Sequence, residues 1–305
     1  MLSASLTPAT LLTRLLMLLM LPLTGPGSCL VAGPPITALS LTSDGQQLLT
    51  GSQAGLTLLS VPELQPLQSL PTQLQQVHDI RFSPDGRQFL VAGGTSGERG
   101  RIELHVWPAT GEPQSIDAGE DLVYQAEWLD AGSRIAAAGA DGVCRIVGTT
   151  AGISPSPASA VVEFTEHSQP VLAIRRLSET QLVTAGADQT LRLWDAKTLI
   201  TRRSFNNHTD TVLEIAVRPA PANASAATRW VATAGADRTV RLWNLQQGRM
   251  LRFARLSAVP LSLAWASDGD LLFVGCSNGD VLTLTAAGLE QTPENNCRDY
   301  VLKNS

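Results

Sequence analysis

His167, Thr184 and Asp188 are residue types of acid–base and nucleophilic chemistry: an imidazole to move a proton, a carboxylate to orient it, a hydroxyl to be activated. The same three types return as His208, Thr233 and Asp237, so the chain could be taken to carry a duplicated His–Asp–Thr catalytic set. Two details argue for a different role. The His-to-Asp separation changes from 21 to 29 residues between the copies, whereas a Trp follows each Thr at the same distance, as Trp194 and Trp243. Residues that recur in tandem and end each time in an indole donor are better explained as wiring inside a folded unit. The imidazole bonds the Asp, the hydroxyl links onward and the indole N–H finds its acceptor, so buried polar groups are satisfied. These eight residues are therefore expected to form a structural relay, and no catalytic, cofactor-binding or metal-ligating residue is assigned.

Other chemistry is sparse. No Gly-rich phosphate loop, GxSxG elbow, HExxH pair or clustered metal-ligand set occurs. The remaining histidines, His78 and His105, read as packing or solvated residues. Asp44, Asp85, Asp141 and Asp268 each precede Gly, a pairing that suits tight turns because Asp bonds its own backbone and Gly accepts positive φ. Calcium ligation would need a DxDxDG spacing, which is missing. The four cysteines contain no CxxC or CxxCH. Cys144 and Cys276 fall in apparent strands and read as small apolar residues, although a Cys276–Cys297 bridge stays open. A net charge of −5, with no basic cluster beyond Arg175–Arg176 and Arg202–Arg203, argues against a nucleic-acid partner. Asn207-His-Thr and Asn223-Ala-Ser are glycosylation sequons if the host glycosylates exported chains.

The elements that must position the relay are strands. Thr184–Trp194 (TAGADQTLRLW) and Thr233–Trp243 (TAGADRTVRLW) agree at nine of eleven positions, 49 residues apart, which marks duplication of one unit. Each unit opens on an alternating apolar run such as Val212–Val217. A polar turn, a small-residue strand such as Leu182–Gly186, an Asp turn and a third strand follow. Six units fit this grammar, with third strands ending at Ser60, His105, Val147, Trp194, Trp243 and Leu284. That spacing, roughly 40 to 50 residues, is the period of a four-stranded propeller blade.

The unit resembles a WD repeat. His167 and His208 stand where the family has its Gly-His dipeptide, Ser83-Pro84-Asp85-Gly86 matches its first turn, and Trp194-Asp195 and Trp243-Asn244 match its Trp-Asp ending. The resemblance implies an all-β propeller of six recognisable blades over residues 35–288, with room for a seventh, degenerate blade. It also implies a buried relay of His, Ser/Thr, Asp and Trp, complete here in two blades only. The Trp position elsewhere holds Ser60, His105, Val147 and Leu284, and the Asp position holds Ala54, Asp141 and Asn278. Val91–Leu104 (VAGGTSGERGRIEL) is similar to an expanded turn of exported propellers from planctomycete-type bacteria, some linked to cytochromes; this chain has no haem motif. Thr95–Gly100 within it reads as a flexible tip or a partner-contact loop.

The ends differ from the repeats. Arg14, the apolar run Leu15–Leu23 and a small-residue exit fit a secretory signal peptide over about residues 1–28, with the cleavage point open. Lipid attachment at Cys29 is the minor reading, because Pro26 sits where a lipoprotein signal wants Leu. No later stretch is long and apolar enough to span a membrane. Residues 289–305 form a tail in which Arg298–Leu302 could close the last blade, as could Leu30–Ala32. The expected function is a non-enzymatic scaffold without cofactors, exported to the periplasm or medium and binding protein partners. Its rivals are an accessory subunit of an exported electron-transfer complex and a propeller hydrolase with a central-channel site.

Overall fold

The computed structural model describes residues 35–109, 111–149, 161–219, 229–266 and 268–285. The signal segment, Cys29, Asn223, Cys297 and both candidate closing strands lie outside the described residues. Within them the chain is all-β, a propeller fold of six blades, with one single-turn 3-10 helix at Asp130–Gly132. The first sheet is β1 (Ile36–Leu41), β2 (Gln47–Ser52), β3 (Gly55–Ser60) and β4 (Pro66–Leu70). The second is β5 (Gln76–Phe82), β6 (Gln88–Thr95), β7 (Arg99–Val106) and β8 (Gln114–Gly119). The third is β9 (Val123–Leu129), β10 (Arg134–Gly139), β11 (Cys144–Gly148) and β12 (Val162–Phe164). The fourth is β13 (Val171–Ser178), β14 (Gln181–Gly186), β15 (Leu191–Asp195) and β16 (Thr201–Phe205). The fifth is β17 (Val212–Val217), β18 (Val231–Gly235), β19 (Thr239–Asn244) and β20 (Arg249–Arg255), and the sixth is β21 (Pro260–Trp265), β22 (Leu271–Cys276) and β23 (Val281–Thr285). Strands follow one another in space in chain order in every sheet, the meander that short turns dictate.

The turns form where their residue types demand. Between β1 and β2, Thr42 Oγ1 donates to Asp44 Oδ1 at 2.6 Å, the Gln46 N–H donates to the same carboxylate at 3.0 Å, and Gly45 takes φ 70°. Ser83, Asp85 and Gly86 repeat the device between β5 and β6, with Ser83 Oγ donating to Asp85 Oδ1 at 2.6 Å and Gly86 at φ 69°. The Thr95–Gly100 insertion mostly lengthens strands: β6 and β7 pair out to Thr95 and Arg99, and the turn residue Gly97 donates its N–H to Asp121 Oδ1 at 2.8 Å. It is thus an anchored hairpin tip.

The chain divides into two compact units, Met1–Ile135 with Val147–Val161 and Ala136–Ile146 with Val162–Ser305. In the first unit, Leu49, Leu56, Val77, Ile80, Phe89 and Val91 form a core between the first and second sheets. In the second unit, Val183, Leu193, Val212, Ile215 and Trp243 pack the fourth sheet on the fifth, and Val240, Leu242, Leu272 and Val274 pack the fifth on the sixth. The same polar latch serves each unit. Trp128 Nε1 donates to the Arg81 carbonyl at 3.0 Å, and Trp265 Nε1 donates to the Ala216 carbonyl at 3.2 Å, tying successive first strands together.

Candidate functional site

The fourth and fifth blades each hold the four relay side chains in one hydrogen-bonded line. Trp194 Nε1 donates to Thr184 Oγ1 at 2.8 Å, Thr184 Oγ1 is 2.7 Å from His167 Nε2, and His167 Nδ1 is 2.9 Å from Asp188 Oδ2. In the fifth blade the corresponding distances are 2.9 Å from Trp243 to Thr233, 2.8 Å from Thr233 to His208 and 3.0 Å from His208 to Asp237. Thr184 and Trp194 come from neighbouring strands, β14 and β15, while Asp188 sits on the turn between them. Asp188 Oδ1 also accepts the Thr190 N–H at 3.1 Å, so one carboxylate shapes the turn and orients the imidazole.

The direction of these bonds fixes the protonation state. Each Thr oxygen accepts the indole N–H, and histidine Nε2 is the one acceptor within reach of its O–H among the described residues, so the arrangement that satisfies every group leaves Nε2 unprotonated and Nδ1–H donating to the carboxylate. A doubly protonated imidazole would face the hydroxyl with a competing donor. Burial, the largest influence on His167 and His208, depresses both imidazoles below their ordinary value and outweighs the neighbouring aspartates. Burial alone would raise Asp237, but the Thr239 hydroxyl, the Thr209 N–H and His208 hold it down to about 2. Asp188 is lowered in the same way, with hydrogen bonds from His167 and Thr190 overcoming burial.

Space is as limiting as polarity. The His167 and His208 side chains are each 1% exposed, and Thr184 and Thr233 are fully buried. A Cβ on Gly235 would stand 2.5 Å from His208 Nδ1 and 2.7 Å from Asp237 Oδ1, so only glycine leaves room for the pair. No substrate atom can approach these hydroxyls without opening the blade.

Other blades replace the relay. In the third, Asp141 meets Arg145 at 2.7 Å instead of a histidine, and Arg145 reaches Glu163 at 2.9 Å; the Trp position holds buried Val147. In the first, strand register sets Leu59, not Ser60, in the Trp position, because Leu48 pairs Leu59 as Leu182 pairs Trp194. Ser60 instead corresponds to Asp195: both donate a backbone N–H across the following turn, to Gln65 and Ile200. In the sixth, Asn278 Oδ1 accepts the Asp280 N–H at 3.2 Å and keeps the turn without a relay, and Leu284 is buried.

The second blade contains a cluster the sequence did not announce. Glu103 is fully buried, with Thr72 Oγ1 donating at 2.7 Å, the Gln73 N–H donating at 2.6 Å and His105 Nε2 at 3.3 Å. His105 is buried in the Trp position and stacks on Phe89, ring centroids 4.4 Å apart and 9° from parallel. His78 is half-buried and edge-on to Tyr124 at 5.2 Å. No group of three His, Cys, Asp or Glu side chains suited to a metal ion occurs among the described residues, and no helix among them is long and apolar enough to cross a membrane. Cys144 is buried, and burial pushes its thiol far above its ordinary value.

Fold and site together define a propeller whose fourth and fifth blades are wired by His–Asp–Thr–Trp chains. The family model described as WD domain, G-beta repeat matches residues 159–195 and 200–244, the two segments that hold those chains. The guanine nucleotide-binding protein G(I)/G(S)/G(T) subunit beta-1 of Homarus americanus is 24% identical over 173 residues, 56% of this chain and 48% of its own length. The guanine nucleotide-binding protein subunit beta-1 of Caenorhabditis briggsae is 24% identical over 159 residues, 52% of this chain and 44% of its own. The chain thus spans about half the length of the curated relatives it matches. These matches support a WD-repeat propeller.

Proposed function

We propose that this chain is a non-enzymatic scaffold that binds protein partners outside the cytoplasm. The observation that carries the non-enzymatic half is the sealing of both His–Asp–Thr sets: their imidazoles are 1% exposed and each hydroxyl is already committed to an indole and an imidazole. A nucleophile needs a free approach and a base able to accept its proton, and neither set offers the approach. The interaction half rests on the WD-repeat match and on relatives whose names mark them as subunits. Export rests on the leader alone, Arg14 followed by Leu15–Leu23 and the small-residue exit.

Affinity isolation from the extracytoplasmic fraction of the native host tests the role, with a hydrolase screen and metal analysis on the same protein. The expected result is a stoichiometric protein partner, no turnover and no bound metal. Turnover or one equivalent of metal would overturn the scaffold reading, and recovery of the chain with its leader intact in the cytosol would overturn export. A haem protein as the isolated partner would specify the scaffold as a subunit of an exported electron-transfer complex.

A further inference from the structure

The fifth sheet ends in an edge strand unlike the other outer strands. β20 (RMLRFAR) runs seven residues without proline and carries three arginines and no acid, in a chain whose net charge is −5. Edge strands are ordinarily shortened or guarded by charge and proline, because their unpaired backbone groups recruit further strands. β20 is neither short nor interrupted by proline, its charge is of one sign, and among its arginines it presents Phe253, 56% exposed, opposite Arg241, whose guanidinium lies 5.8 Å from the ring. Arg249 and Arg255 are exposed and form no ion pair among the described residues.

A second observation lies at the other end of the strand. Pairing with β19 skips Leu251, since Leu242 faces Arg252 while Trp243 faces Met250. Beside this bulge opens a cavity of about 350 Å³ lined by Trp230, Arg249, Met250, Leu251 and Arg252. It brings exposed Arg249 beside the Trp230 indole, with no carboxylate among the described lining residues. Arg218 covers the Trp230 ring at 4.3 Å, while the indole N–H has no hydrogen-bond partner among the described residues.

We propose that β20 docks an acidic, extended peptide segment of a partner protein as an added antiparallel strand. Backbone groups of the open edge hold the incoming chain, and its alternating side chains fall beside those of β20 on both faces of the sheet. Carboxylates then meet Arg249 on one face and Arg255 on the other, in charge-assisted hydrogen bonds, and an apolar side chain covers Phe253 on the face it shares with Arg255. The absence of acids from the strand, with Arg249 and Arg255 exposed, selects for negative charge; the exposed phenyl selects against a purely ionic contact. This rests on the scaffold reading and assigns it a surface.

The test uses the full chain and a fluorescein-labelled, end-blocked peptide in which Glu–Glu pairs alternate with Val–Phe pairs, so that an added strand carries carboxylates and apolar side chains on both faces, followed by anisotropy. Controls are the same peptide with proline at alternate positions, which cannot add as a strand, and one with Lys for Glu. One-to-one binding is expected. It weakens at least about tenfold in the R249E/R255E variant, in Phe253→Ser and with the proline peptide, and it falls with salt. All the changed positions are exposed, and circular dichroism checks that the variants fold. Equal binding of the proline peptide, or unchanged binding by R249E/R255E, overturns the proposal. So does a dimer of the chain, or capture of anionic phospholipid vesicles in place of the peptide, lost on the same charge reversal. A partner isolated from the host whose binding ignores R249E/R255E removes this surface and leaves the scaffold role standing.

Discussion

Thr233 is the centre of the fifth-blade relay, and Thr233→Val changes almost nothing but its hydrogen bonds. Valine keeps the branched shape, so the core around Trp243 and Val231 need not reorganise. What is lost is the acceptor for Trp243 Nε1, 2.9 Å away, and the donor to His208 Nε2, 2.8 Å away. Both partners are buried, so water cannot replace the hydroxyl. An orphaned buried polar group costs about 1–3 kcal/mol, so two of them cost about 2–6 kcal/mol. That is a large share of a typical domain's stability of about 5–15 kcal/mol. Urea denaturation followed by tryptophan fluorescence and by circular dichroism reads the change, with exposed Thr180→Val as the control. A loss in Thr233→Val below about 0.5 kcal/mol would refute the claim that the relay satisfies otherwise costly buried groups. Wild-type stability joined to loss of a measurable activity would refute its structural role outright.

Gly235→Ala should destabilise by about 1–3 kcal/mol, because the new methyl presses on His208 and Asp237; a melting curve no different from wild type would count against that packing. Glu103→Gln turns an acceptor of the Thr72 hydroxyl into a donor and should cost about 1–3 kcal/mol in the denaturation midpoint, with no loss meaning that the cluster is incidental. Stability should also fall on acidification. The depressed imidazoles of His167, His208 and His78 bind fewer protons folded than unfolded, so stability declines as pH drops below the unfolded value near 6.5 towards their native values. The lowered carboxyls of Asp188 and Asp237 add a second loss below about pH 4, of the same sign. Melting temperatures from pH 8 to pH 3 check both windows, and a His208→Ala chain with an unreduced slope between pH 7 and 5 would contradict the first.

The strands and both relays were legible because duplication exposes them: two copies that differ in loop length but keep Thr, Asp and Trp reveal which residues must touch. The charge logic around the relays was not, although its signal is present. Arg145, Arg192 and Arg241 occupy equivalent third-strand positions, each two residues before Val147, Trp194 or Trp243, and each faces the turn aspartate four residues earlier, at 2.7, 3.9 and 3.1 Å. In the second blade the Asp turn is replaced by the lengthened hairpin, and the equivalent third-strand position holds Glu103. With no carboxylate at the turn, an arginine there would be a buried cation without a partner, a state that costs far more than a neutral side chain. A carboxylate can instead be satisfied by donors from the connection before β5, and Thr72 and Gln73 supply them. Those donors lie 31 and 30 residues away and belong to no repeat, so periodicity could not point to them. The Ser60 misplacement has a related cause: the short turn after Ser52 shifts the first blade's third strand against the others, and only the pairing of Leu48 with Leu59 restores the alignment. Repeats thus disclose what the blades share, while a blade that has lost its turn anion must find a private solution, visible only once the strands are paired.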